Sequence, residues 1–283
     1  MVLTFFFFSF FTVAMGMVAK TARDAYFLSR FDKSILPLMF LAVAIFIAPI
    51  LTYYTMLSKK LAPRVLFTMT CAIFAGSLIL VQPMITGFVI PVVYIWVEVV
   101  VGIMLIQFWT FAGDSFEPQQ AKRLFSIIAG GGSFAVMIIG MNLKPFVNAF
   151  GTDELLFLAA GFLGLAAFFG LTAMQYFKKE PAKKGVVKPA KKEKTKKKQK
   201  RDPFIVGIGT IIALSAVVTT LVDYQFKMIA STAFPTEAEL VSFFGTFYSI
   251  AGAASIIMQF FITGPILSRF GILIGLLILP FFL

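Results

Sequence analysis

The chain has no histidine and a single cysteine, Cys71, among its 283 residues. Without imidazole, the usual nitrogen-rich metal sites and the Ser–His or Cys–His nucleophilic pairs are excluded. One cysteine cannot build a disulfide framework, and a lone thiol inside an apolar run is most simply a small packing residue. Charge is scarce as well: Asp, Glu, Lys and Arg together make up 13% of the chain, where soluble domains carry roughly a quarter. No cofactor fingerprint, metal-spaced cluster or catalytic constellation stands out. A hydrolase or redox enzyme therefore has no visible carrier of its chemistry.

What is abundant is apolar: 59% of the residues are hydrophobic, 36 of them Phe. The apolar runs are continuous and do not alternate, which argues for helices and against a membrane β-barrel. Crossing a hydrocarbon layer of roughly 30 Å takes about 20 helical residues. Such stretches fall at residues 2–19, 35–56, 65–81, 88–112, 124–147, 155–177, 204–222 and 240–263, with a ninth from 272 to the last residue, 283. The first lacks a basic leader and a small-residue cleavage site, so it reads as a retained helix. The ninth holds about a dozen residues, too few to span, so the chain looks cut short. The expected fold class is an all-α polytopic membrane protein.

The net charge of +12 is largely local, because 13 of the 25 Lys and Arg lie between Lys178 and Arg201. That basic stretch, residues 178–203, offers no aromatic platform for bases. It is expected to be a disordered cytoplasmic linker beside anionic lipid headgroups and not a nucleic-acid site. Counted over alternate loops, 19 cations fall on the side of the N-terminus and linker and six on the other. The positive-inside bias then makes the N-terminus cytoplasmic, in a bacterial-type inner membrane.

The linker separates a six-helix unit, residues 1–177, from a partial second one, residues 204–283. Two correspondences suggest duplication. Asp24-Ala25-Tyr26-Phe27 after the first helix matches Asp223-Tyr224-Gln225-Phe226 after the seventh, 199 positions apart. Arg64 and Arg269, in the loops after helices two and eight, are 205 apart. Near-equal offsets in matching topological positions point to parallel repeats.

Ionisable groups inside apolar helices are costly and therefore candidates for function. Glu98 lies about ten residues into the fourth helix, one turn from Tyr94 and Gly102. It is either a cavity-facing carboxylate, for gating or proton coupling, or a structural partner between helices. Ser215, Thr219, Asp223, Lys227 and Ser231 recur every fourth residue along one stripe, and Lys20 and Asp24 share that spacing beside Arg23. Packed about a pseudo-twofold axis, Lys20, Arg23 and Lys227 would converge at the outer mouth of a central cavity suited to an anionic, phosphate-bearing solute. The alternative is local ion pairing at the interface. Ala129-Gly130-Gly131-Gly132-Ser133 lacks the strand and the Lys-Ser/Thr of a phosphate loop. These glycines, with Gly161, Gly164 and the stretch 251–254, are expected to let helices approach closely.

Four stretches resemble the ATP/ADP translocase-like branch of the major facilitator superfamily: Lys20-Thr21-Ala22-Arg23-Asp24-Ala25-Tyr26-Phe27; Phe108-Trp109-Thr110 with Gly113-Asp114; Ala121-Lys122-Arg123-Leu124-Phe125 leading into the glycine run; and Val222-Asp223-Tyr224-Gln225-Phe226-Lys227. The Gly264, Leu267, Arg269 and Gly271 loop is similar to the cytoplasmic latch of facilitators, although Leu61-Ala62-Pro63-Arg64 lacks its Gly and Asp. The resemblance implies a twelve-helix alternating-access transporter with a nucleotide such as ATP or ADP, or a similar phosphorylated anion, as substrate, by exchange or uptake. It places Lys20, Arg23, Asp24, Asp223 and Lys227 at the substrate, while Glu98, Arg64 and Arg269 are read as gating or coupling residues. A non-transporting scaffold or sensor on the same fold is the alternative.

Overall fold

The computed structural model describes residues 1–176 and 203–263, the side chains of 118–123, 176, 203–206, 208, 211, 262 and 263 excepted. Among the described residues, eight helices are long and apolar enough to cross a membrane. They are α1 (Val2–Arg30), α2 (Leu36–Ser58), α3 (Pro63–Val81), α4 (Val89–Ser115), α5 (Pro118–Phe150), α6 (Leu155–Ala173), α7 (Pro203–Ala233) and α8 (Glu237–Ile257). Among the described residues there is no strand, and the chain is an all-α polytopic membrane protein. The ninth segment, Arg269 and the basic stretch up to residue 202 lie outside the described residues.

The boundaries follow local chemistry. Pro63 and Pro118 open α3 and α5, where a missing N–H costs nothing. Thr236 and Glu239 close a capping box at the start of α8. Gly151, at φ +89°, ends α5 in a conformation that side chains disfavour. Asp32 accepts from the Ser34 N–H at 3.0 Å and so caps the short turn Lys33–Ile35. These hydrogen bonds hold the Asp32 carboxyl below the usual carboxylate range.

Two helices run well past their apolar stretches. α1 continues from Ala19 to Arg30, and α7 from Val222 to Ala233. Neither extension contains Gly or Pro, and the charged residues that interrupt the hydropathy are paired, with one another or with carboxylates of other elements. The stretches that read as helix ends and loops are thus interior turns. At the other extreme, α6 ends as an α-helix at Ala173 and finishes in a tighter turn, Met174–Tyr176.

α1 is the central column, packed against α4, α5, α6 and α8. Its Phe8 meets Phe67 and Phe108 edge-on, at centroid distances of 5.7 and 5.2 Å. α5 and α8 share an extensive seam, for which Gly140 and Gly245 are responsible. A Cβ on Gly140 would lie 2.5 Å from the Gly245 carbonyl oxygen, and the reverse contact would be 2.8 Å. In a bilayer, where lipid offers as apolar a contact as a neighbouring helix does, such backbone approach is a main source of association. Within the glycine run, a Cβ on Gly131 would strike the Phe6 carbonyl oxygen. Gly161 and Gly164 do not fit that expectation: no neighbouring atom lies within 4 Å of either added Cβ. Small residues mark a face, but the sequence does not say whether a helix or lipid covers it. α2 and α7 contribute little to the interior, and many of their large side chains, such as Leu38, Ile45 and Met56 of α2 and Ile212, Leu214 and Val218 of α7, are exposed.

Candidate functional site

Where α1, α4 and α7 meet, six ionised side chains form one connected cluster. Lys20, Arg23 and Asp24 come from successive turns of α1, Glu98 from the middle of α4, and Asp223 and Lys227 from adjacent turns of α7. Glu98 bridges two cations, with Oε2 3.0 Å from Lys20 Nζ and Oε1 2.7 Å from Arg23 Nη2. Lys227 does the reverse and sits between two carboxylates. Its Nζ is 3.1 Å from Asp24 Oδ2 and 2.8 Å from Asp223 Oδ2. Asp24 Oδ1 closes the circuit 3.3 Å from Arg23 Nε. Three positive and three negative groups cancel.

Tyr94 holds this circuit together, although in the sequence it stands out only as a neighbour of Glu98. Its carbonyl accepts a hydrogen bond from Arg23 Nη1 at 2.9 Å, and its ring lies 4.2 Å beneath the guanidinium. Its hydroxyl accepts from Lys227 Nζ at 3.5 Å. Phe40 of α2 presents its ring 5.3 Å from the same ammonium. These aromatic faces partly replace the water that the buried cations have lost.

The cluster has a dry side and a wet side. The side chains of Arg23, Asp24 and Lys227 are 3–6% exposed, whereas Lys20 and Asp223 are 39% and 37% exposed, and Glu98 21%. The exposed members face a cavity of about 430 Å³ between α1, α4, α5, α7 and α8, to which Met17, Val101, Val136 and Tyr248 add apolar walls. A second chamber of about 340 Å³ adjoins it towards the start of α1, with Thr12, Val13, Leu105 and Val136 lining both. The five residues expected at a substrate site are thus brought together with Glu98, inside the helices and not at their ends. Arg64 is exposed at the start of α3 and does not line the cavity. Among the described residues, no group of three His, Cys, Asp or Glu side chains could hold a metal ion.

Beyond the cluster, at the Arg30 end of α1, a second polar network joins α1 to α7 and α8. Glu237 Oε1 accepts from Arg30 Nε and, at 3.1 Å, from Ser29 Oγ; its Oε2 accepts from Arg30 Nη2 at 3.1 Å and from Thr152 Oγ1 at 3.0 Å. Arg30 also donates to the Ile85 carbonyl at 3.0 Å, and Lys33 Nζ to the Ser231 carbonyl at 2.8 Å. Arg30 and Lys33, two of the six cations counted on the outer side, are therefore fasteners. Glu237 carried no apolar context to single it out, and its role is visible only in three dimensions.

A protein from Chlamydia muridarum named "ADP,ATP carrier protein 1" is 27% identical over 210 residues, covering 66% of this chain and 38% of its own length. The protein of the same name from Chlamydia trachomatis is 25% identical over 222 residues, covering 70% and 41%. That from Chlamydia pneumoniae is 22% identical over 210 residues. The chain spans about two fifths of the length of these curated relatives. No solved structure matches it. The family described as TLC ATP/ADP transporter matches residues 35–283, which takes in α2 to α8, and the chain belongs to that family.

Proposed function

We propose that the charged cavity is the substrate site of a secondary transporter that exchanges nucleotide-like anions such as ATP and ADP across the membrane. The observation that carries this reading is a set of three cations, each already paired to a carboxylate, on the wall of a 430 Å³ cavity deep among apolar helices. Unpaired ions at that depth cost several kcal/mol each, so a purely structural cluster would gain from apolar replacement. Carboxylates that hold cations at a cavity surface are placeholders: an incoming polyphosphate competes with Glu98 for Lys20 and Arg23. The names of the chlamydial relatives agree with such a substrate.

In this reading residues 1–177 and 204–283 belong to two related halves, joined by the basic cytoplasmic stretch 178–203. The two corresponding carboxylates, Asp24 and Asp223, share Lys227, as expected of a site on a pseudo-twofold axis. The Arg30–Glu237 network closes the cavity at the outer end, and rocking of the halves breaks it as the cytoplasmic end closes. Glu98 couples substrate arrival to that motion. Arg64, with Arg269, serves the cytoplasmic loops.

The test is counterflow of labelled ATP against internal ADP in proteoliposomes of the full-length protein. Exchange is expected, and expected to vanish in Lys20→Gln and Lys227→Gln. Undiminished exchange in both variants rejects the site. Binding without any flux favours a scaffold or sensor on the same fold.

A further inference from the structure

The charged cavity accounts for one end of a ligand only. The chamber beside it has a different chemistry. None of the residues lining it is charged. Its hydroxyls come from Ser9, Thr12, Ser133 and Ser255, and its aromatic wall from Phe108 and Trp109. Ala129, Gly132 and Gly252 leave the opposite side without bulk. Gly132 also lets α5 approach α1, since a Cβ there would lie 2.9 Å from a Val13 methyl.

Two observations make this more than a gap between small residues. The Thr12 side chain is buried, 1% exposed, and its Oγ1 has no hydrogen-bond partner. A hydroxyl on a helix ordinarily satisfies itself on the carbonyl four residues back, as Thr70 does at 2.7 Å. Thr12 lines both chambers at their junction. The Trp109 ring, for its part, is fixed by edge-to-face contacts, 5.1 Å from Phe108 and 5.9 Å from Phe125, yet remains 45% exposed. An indole immobilised on the wall of a polar-edged chamber is a stacking platform.

The length also fits. Ser9 and Lys20 are eleven residues apart on α1, or roughly 16 Å along the axis at 1.5 Å per residue. That is the span of an extended molecule with a charged head and a flat, hydroxylated tail. We infer that the second chamber receives the uncharged nucleoside end of the anion whose phosphates lie at Lys20, Arg23 and Lys227. The ring stacks against Trp109, and sugar hydroxyls meet Thr12 and the neighbouring serines. This deepens the proposed function and rests on it.

Direct binding of ADP and of inorganic pyrophosphate to the detergent-solubilised full-length protein separates the two chambers. Losing a base–aromatic stack costs about 1–3 kcal/mol, so Trp109→Ala should weaken ADP by between about 5- and 150-fold. Pyrophosphate should move by less than about twofold, because it never enters the second chamber. Trp109→Phe, which keeps a ring, should recover most of the loss. Ser133→Leu, which fills the chamber from α5, should act like Trp109→Ala. Equal weakening of both ligands across these variants, or no change in ADP, overturns the assignment. A wild-type protein that binds neither ligand overturns the anion-site reading itself, and this one with it.

Discussion

Glu237 is where the structure makes its sharpest prediction. Its carboxylate, 16% exposed, takes both Arg30 donors together with the Ser29 and Thr152 hydroxyls, and so ties α8 to α1 and to the turn before α6. Replacing it by Gln keeps the shape and one acceptor oxygen but removes the charge. Breaking a fully buried ion pair costs about 3–5 kcal/mol. Arg30 is about a third exposed, so screening reduces the effect to about 1–2 kcal/mol. That shifts the ratio of open to closed forms at the Arg30 end by about 5- to 30-fold. The readout is thiol labelling. Cys71 is buried, so a Val136→Cys variant, placed on the wall of the cavity, reports access over a low background. A membrane-impermeant maleimide added on the Arg30 side should label this cysteine slowly in the otherwise native protein. In Glu237→Gln it should label 5- to 30-fold faster. Equal rates in the two proteins would show that the network is not a closure, and rocking about it would have to be abandoned.

Other expectations follow from the same contacts. Lys227→Met should destabilise the protein by up to about 3–5 kcal/mol, since it takes from the buried Asp24 the nearer of its two cations and leaves it only Arg23, at 3.3 Å. Adding Asp24→Asn should restore much of the melting temperature without restoring exchange. Gly140→Leu should cost at least about 1–3 kcal/mol through overpacking against α8, whereas Gly161→Leu, with open space around it, should stay within about 0.5 kcal/mol. Thermal unfolding in detergent distinguishes these two. Native Cys71 should resist maleimide until the protein is denatured, and rapid labelling of the folded protein would contradict its burial.

The helical, membrane-spanning character was legible because it rests on local hydropathy, which each stretch carries by itself. The meeting of Lys20, Arg23, Asp24 and Lys227 was legible for a related reason: scarce charges in apolar surroundings have few ways to be satisfied. Helix ends were less so. Hydropathy assigns Arg23 and Lys227 their own transfer cost and knows nothing of the partners that cancel it, so α1 and α7 were ended some three turns early. Tyr94 and Glu237 are ordinary residues in their local sequence and acquire their roles from helices far along the chain. The same holds for glycines. Gly131 and Gly161 look alike in sequence, but one meets a backbone carbonyl and the other meets nothing.

The ammonium of Lys227 hangs on four methylenes between its own helix's Asp223 and the Asp24 of α1. A tether of that kind behaves as a hinge pin. Should α1 and α7 part, Lys227 can swing with Asp223 and release only Asp24, which keeps Arg23 of its own helix 3.3 Å away, so neither carboxylate is left bare. A polyanion arriving at that moment would find an acid already leaving.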